Sequence, residues 1–201
     1  MGLFSRHLFT SLSKALAAPT ACYRLHLQVN IDQLRAWGPL FPHLTRLQEL
    51  RLHGQYVPDE PQESAFPEEF RQLRTLRKVS LLNLPVTFPS WVRYLPELRV
   101  LDVRGTDTAY LPEWIAECRA LHTLRVENCA LQVLPLALRQ MHHLRHVSFS
   151  DTELAHVEAA HFPQQLLSLD LGGAHRYPPT DLERLRQELR QTRINPKHVN
   201  Y

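Results

Sequence analysis

The chain reads as an α/β solenoid: a curved parallel β-sheet on the concave face, short helices on the convex face, right-handed, with a helical cap at each end. Three observations predict it. A nine-residue apolar template recurs seven times, at steps of 25, 29, 22, 23, 23 and 22 residues between Pro19 and Pro163. Of its 28 positions 26 are apolar, where a composition of 44% apolar would place about 12. Each copy also ends in apolar/polar alternation, the period of a half-buried strand. Fixed-period self-similarity of this length marks an array of stacked supersecondary units.

The first element precedes the array. Phe4, Leu8, Leu12 and Leu16 recur at helical spacing, and Pro19 stops the run. Residues 1–18 are therefore expected to form an amphipathic helix that covers the open end of the stack. This segment carries Arg6, His7 and Lys14 and no acid. Polar residues interrupt the apolar centre that a secretory signal needs. An organellar presequence or a bacterial export signal stays open as the alternative, in which a basic helix acts in targeting or at a membrane surface.

Residues 19–175 form the array itself. Its clearest copies are Leu44-Leu47-Leu50-Leu52, Leu73-Leu76-Val79-Leu81, Leu95-Leu98-Leu101-Val103, Cys118-Leu121-Leu124-Val126 and Met141-Leu144-Val147-Phe149. The flanking copies begin at Pro19 and Pro163 and are degenerate. Seven strands are expected, at 24–28, 49–53, 78–82, 100–104, 123–127, 146–150 and 168–172. Phe66-Pro67, Phe88-Pro89, Leu111-Pro112 and Leu134-Pro135 open the return segments. Proline suits a helix's first turn, where its missing N–H would be unbonded anyway. Short convex helices follow, with Phe70, Trp91, Trp114 and Ile115 turned inward.

The longest step places an insertion at Gly54–Ala65. Between Asp59 and Glu69 lie five acids and no base. An extra loop can extend a binding face or remain a solvated acidic loop, and both readings stand. Residues 176–201 close the stack: Thr180-Asp181-Leu182-Glu183 has capping-box spacing, Leu182, Leu185 and Leu189 form a stripe, and Asn195-Pro196 ends the helix.

The L-x-x-L-x-x-L-x-L…L-P pattern, densest over residues 88–135, resembles the leucine-rich repeat family over residues 19–175. The segment Phe162–Leu171 is similar to the shortened repeats of bacterial effectors secreted into host cells. Fewer than 30 residues follow the array, 176–201, so no counterpart of those effectors' ubiquitin-ligase domain is expected. The resemblance implies a concave face that binds another protein, with no catalytic residue. The family often keeps an asparagine three places past the last template position. Here that column reads Asn30, Gln55, Leu84, Thr106, Cys129, Thr152 and Ala174, so an irregular member is expected.

Strand alternation aims three columns into the concavity. The candidates for partner contact are Arg24, Glu49, Lys78, Val100, Thr123 and His146; His26, Arg51, Asp102 and Arg125; and His53, Leu82, Arg104 and Glu127. Arg51, Asp102, Arg104 and Arg125 are expected to cluster in mid-sheet. Arginine beside Val100 and Leu82 has the mixed character of an interface centre.

Other chemistries find little support. Charge is nearly balanced, 23 Lys+Arg against 20 Asp+Glu, which argues against a dedicated nucleic-acid binder. His142, His143 and His146 fall on a turn-into-strand segment, where i, i+4 spacing does not make a zinc site. No phosphate loop, nucleophile elbow or cofactor motif is present, so no enzyme activity and no cofactor is expected. Cys22, Cys118 and Cys129 sit at apolar positions without C-x-x-C spacing, as small buried thiols of a reducing compartment do. Cytoplasmic residence is therefore expected, with delivery into a host cell as the alternative. No apolar run is long enough to span a membrane.

Overall fold

The computed structural model describes residues 8–54, 66–172 and 177–195. Over these residues the chain forms one sheet of nine strands, in sequential order and parallel throughout. They are β1 (Leu8–Phe9), β2 (Arg24–Val29), β3 (Glu49–Gly54), β4 (Lys78–Leu82), β5 (Val100–Arg104), β6 (Thr123–Glu127), β7 (His146–Ser148), β8 (Ser168–Asp170) and β9 (Arg193–Asn195).

Register follows the repeat. Phe9, Leu25, Leu50, Val79, Leu101, Leu124, Val147, Leu169 and Ile194 align across the sheet. Leu27, Leu52, Leu81, Val103 and Val126 form a second row. From Leu25 to Leu169 the first row is buried, as is the whole second row. A one-residue slip would throw both rows onto the solvent face, so the apolar pattern enforces this register. Backbone pairing tightens it at the strand starts. The carbonyls of Tyr23, Gln48, Arg77, Arg99, His122 and Arg145 each accept two N–H groups from the next repeat, at 2.7–3.0 Å.

On the opposite side run short 3₁₀ segments: Gly38–His43, Glu68–Gln72, Ser90–Tyr94, Glu113–Glu117, Leu136–Gln140 and Ala159–His161. Pro67, Pro89, Pro112 and Pro135 stand one place before four of them, in extended conformation. The prolines thus start these turns from outside rather than from the first helical position. Phe70 and Ile115 are fully buried and Trp91 nearly so, while Trp114 is only partly covered. Phe41, Phe70 and Trp91 pack in sequence with tilted rings, their centroids 4.6 Å and 5.1 Å apart.

Both caps depart from expectation. Within the first segment Leu8 and Phe9 pair as β1 with Arg24 and Leu25, and among its described residues only Leu12–Ala17 is helical (α1). An exposed sheet edge has unpaired N–H and C=O groups, and two residues of strand satisfy some of them. Leu12 and Ala15 then point into the core. At the other end α3 spans Pro179–Glu188. Its N-cap is Pro178 with no side-chain cap bond, so the Thr180–Glu183 box does not form: helix starts before Thr180, leaving it inside the first turn. Chain beyond α3 returns as β9, and Asn195 lies in a strand rather than at a helix end.

One helix has no counterpart in the template. Residues Ile31–Trp37 form α2, and Asn30 caps it: its Oδ1 accepts from the Gln33 N–H at 2.8 Å, while Gln33 Oε1 accepts from the Asn30 N–H at 3.0 Å. The single asparagine of that column is therefore a helix cap. Elsewhere smaller groups fill the slot. Thr106 Oγ1 lies 2.9 Å from Thr108 Oγ1 and 3.4 Å from Cys129 Sγ, and Thr152 Oγ1 donates to the Phe149 carbonyl at 2.8 Å.

A further column sets the turns after the strands. Asn83, Gly105, Asn128 and Asp151 all have left-handed φ, between 51° and 58°. Asn, Asp and Gly tolerate that region best. Each stands two places past the last template position; Gly172 (φ 49°) turns one place sooner. That early turn accompanies the shortening of β7 and β8. Of the acidic insertion Gly54–Ala65, only Gly54 lies among the described residues. Among the described residues no helix is long and apolar enough to cross a membrane.

Candidate concave binding face

The three outward columns of the strands lie in register as three rows. One row runs Arg24, Glu49, Lys78, Val100, Thr123, His146 and Ser168. The middle row runs His26, Arg51, Ser80, Asp102, Arg125, Ser148 and Asp170. The third runs Gln28, His53, Leu82, Arg104 and Glu127.

At the N-terminal end, three bases converge on one carboxylate. Glu49 takes Arg24 Nε at 2.9 Å, His26 Nε2 at 3.1 Å and Lys78 Nζ at 3.2 Å. Burial alone would raise the Glu49 carboxyl; the His26 hydrogen bond, the Lys78 charge and the Arg24 hydrogen bond together hold it below its ordinary value. The basic end of the sheet is thus partly neutralised from within.

In mid-sheet, Arg104 grips Asp102 with two nitrogens, at 2.6 Å and 3.1 Å, and also reaches Glu127 at 3.2 Å. The expected four-residue cluster therefore assembles only in part. Arg51 is two strands from Asp102, with buried Ser80 between them in register. Arg125 is the register neighbour of Asp102, but the carboxylate is committed to Arg104. The side chains of Arg51 and Arg125 have no ion-pair or hydrogen-bond partner among the described residues.

These two free guanidinium groups flank partly exposed apolar side chains: Leu82 beside Ser80 on β4 and Val100 at the start of β5. His53 holds Asn83 Nδ2 at 3.2 Å, and His146 Nδ1 lies 2.8 Å from Ser168 Oγ. Beyond Thr123 the face turns small and polar, with Ser148 and Ser168. The face is open, and among the described residues no group of three or more His, Cys, Asp or Glu could hold a metal ion. Cys22, Cys118 and Cys129 are free and buried. Burial raises the Cys22 thiol to about 11 and the Cys118 thiol to about 12, far from a thiolate at neutral pH.

The sequence columns align in register on β2 to β8, but they missed the rows' extension to Leu8, Arg193 and Asn195 and which charges neutralise each other. They also passed over the turn column Asn83, Gly105, Asn128 and Asp151, whose shared tolerance of positive φ was readable from composition.

No protein-family description and no curated protein matches the sequence. Solved structures do match in fold. A leucine-rich-repeat protein of Leptospira interrogans superposes with a TM-score of 0.63 at 22% identity, over 87% of this chain and 49% of that one. An internalin of Listeria monocytogenes superposes with a TM-score of 0.64 at 15% identity, over 96% of this chain and 55% of that one. The chain spans about half the length of each. By its own repeats, its sequential parallel sheet and these superpositions, the chain has the fold of a leucine-rich-repeat solenoid.

Proposed function

We propose that the chain is a non-catalytic interaction module that binds a partner protein on its concave face. The observation that carries this is the pair of unengaged guanidinium groups, Arg51 and Arg125, beside half-buried Leu82 and Val100. Arginine with apolar neighbours is the composition of interface hot spots. The backbone ladder holds these side chains in fixed register, so little ordering entropy opposes association.

Cytoplasmic residence belongs to the same reading, supported by three buried free thiols. Action as a bacterial effector or adaptor is its finer form, supported by the shortened last repeat at Phe162–Leu171. For the N-terminal segment we favour a capping role over targeting, because Leu12 and Ala15 are core residues.

The test is affinity capture from native-host lysate with wild type beside an Arg51→Glu, Arg125→Glu variant of equal melting temperature. A protein held by wild type and lost by the variant supports concave binding. A partner held equally by both moves the site off this face, and an empty wild-type lane removes the reading for that host.

A further inference from the structure

Near-balanced total charge conceals a segregation that appears only on folding. The edge formed by the 3₁₀ ends and the turns that enter the strands carries Arg46, Arg71, Arg74, Arg77, Arg93, Arg99, Arg119, Arg139 and Arg145. Of these, Arg71 is spent on Glu68 at 3.3 Å, Arg77 on Glu97 at 3.0 Å and Arg93 on Glu117 at 2.6 Å. Arg74, Arg99, Arg119 and Arg139 are exposed, and their side chains have no partner among the described residues. On the opposite edge, the described segments that leave β4 to β7 (83–89, 105–112, 128–135 and 149–158) contain no Lys or Arg. They carry Asp107, Asp151, Glu153 and Glu158 instead.

The basic edge has a second feature. Between Arg119 and His142 lies an open groove of about 510 Å³, with Ala116 and Met141 among its lining and His143 and Gln140 beside them. The His143 ring stacks on His122, with centroids 5.9 Å apart and planes 18° from parallel. Planar rings and an apolar floor thus sit inside an arginine array. The carbonyl ladder described above fixes Arg77, Arg99, His122 and Arg145 at successive repeats, roughly 4.8 Å apart at the sheet.

We propose that this edge binds single-stranded nucleic acid, with the backbone phosphates on Arg74, Arg99, Arg119 and Arg139 and an unpaired base in the groove beside His143. Guanidinium suits phosphate because its planar fork can donate two hydrogen bonds at once. Unpaired bases stack on planar side chains inside basic channels, without sequence preference. A paired base could not enter the groove, so a duplex would use the arginines only. A lipid surface fits less well. The exposed large apolar residues on this edge, Tyr94 and Leu167, stand three repeats apart, whereas interfacial docking draws on a contiguous apolar face.

The experiment is fluorescence anisotropy with a labelled oligouridylate of about 20 nucleotides, a length that covers one to several single-strand sites, across a salt series at a pH that keeps histidine neutral. Wild type is expected to bind at low salt. An Arg74→Gln, Arg99→Gln, Arg119→Gln variant with unchanged melting temperature is expected to bind at least tenfold more weakly. Its log K against log salt slope should flatten by about 2, at roughly 0.7 for each lost phosphate contact. His143→Ala is expected to weaken binding several-fold with the slope unchanged, and Arg51→Glu with Arg125→Glu to leave binding intact. Absence of binding at low salt overturns the proposal. So does equal binding to poly-glutamate, to a second copy of the chain, or to phosphatidylserine vesicles in place of the oligonucleotide. A matched duplex bound as tightly as the single strand overturns the base-in-groove assignment.

Discussion

Arg104 reaches back along its own strand to Asp102, with Nε 2.6 Å from Oδ1 and a second guanidinium nitrogen 3.1 Å from Oδ2. Asp102 is only 8% exposed, so this bidentate pair satisfies a carboxylate that water scarcely reaches. A buried acceptor without its partner costs its full desolvation penalty. Arg104→Met should therefore lower stability by about 1–3 kcal/mol. Adding Asp102→Asn to that variant should recover part of the loss. Urea melts of the two variants decide it: a double mutant less stable than the single one would count against the pairing.

Glu49 gives the fold a pH-dependent contribution. Its folded carboxyl is held below its ordinary value, so its share of stability is present above the ordinary glutamate pKa of about 4.3. That share fades as pH falls through the lower folded value. Wild type should exceed Glu49→Gln in stability at neutral pH, with the gap closing under acid. A gap unchanged from neutral pH to below the folded value would refute the three-base hub.

The turn column separates two kinds of left-handed residue. Gly105 has φ +58° and its added Cβ would run into the Asn83 side chain, so Gly105→Ala meets both strain and a neighbour. A loss of at least about 1 kcal/mol is expected. Asn128→Gly, at φ 51°, should change stability by a few tenths of a kcal/mol, since glycine accepts that region freely. Thermal melts reversing that order would contradict the assigned turn geometry.

Thiol chemistry offers a kinetic check. Cys22 and Cys118 are buried, with thiols raised to about 11 and about 12. In native protein at neutral pH both should resist alkylation, and both should react promptly in denaturant. Rapid native labelling of either site would place it at the surface.

The stack was legible because every repeat spends its apolar residues on one register. Strands β2 to β6 fall within one residue of their expected bounds, as an inward column such as Leu50, Val79, Leu101 and Leu124 leaves no other alignment. The ends were opaque for a physical reason. Leu8 and Phe9 fit the helical spacing of Leu12 and Leu16, and only the open edge of β2 makes them a strand. Thr180 has capping-box spacing, but Pro178 and Pro179 start the helix ahead of it. On the concave face, side-chain direction was readable and charge pairing was not. Asp102 faces Arg125 in register, yet a rotamer choice on Arg104 takes it. The edge charges escaped notice because total charge says nothing of which loops share a side.

The terminal strands β1 and β9 have a mechanical consequence. Each adds only two or three residues of pairing to its neighbour, against six between β2 and β3. Repeat stacks hold mainly through nearest neighbours. A stack pulled at β1 and β9 should thus yield first at these short seams, then inward repeat by repeat through β7–β8 and β6–β7, which also pair over only three residues. In a force-extension trace the middle strands β2 to β6 would hold longest, so a ligand seated across them would meet an intact surface after both ends had come away.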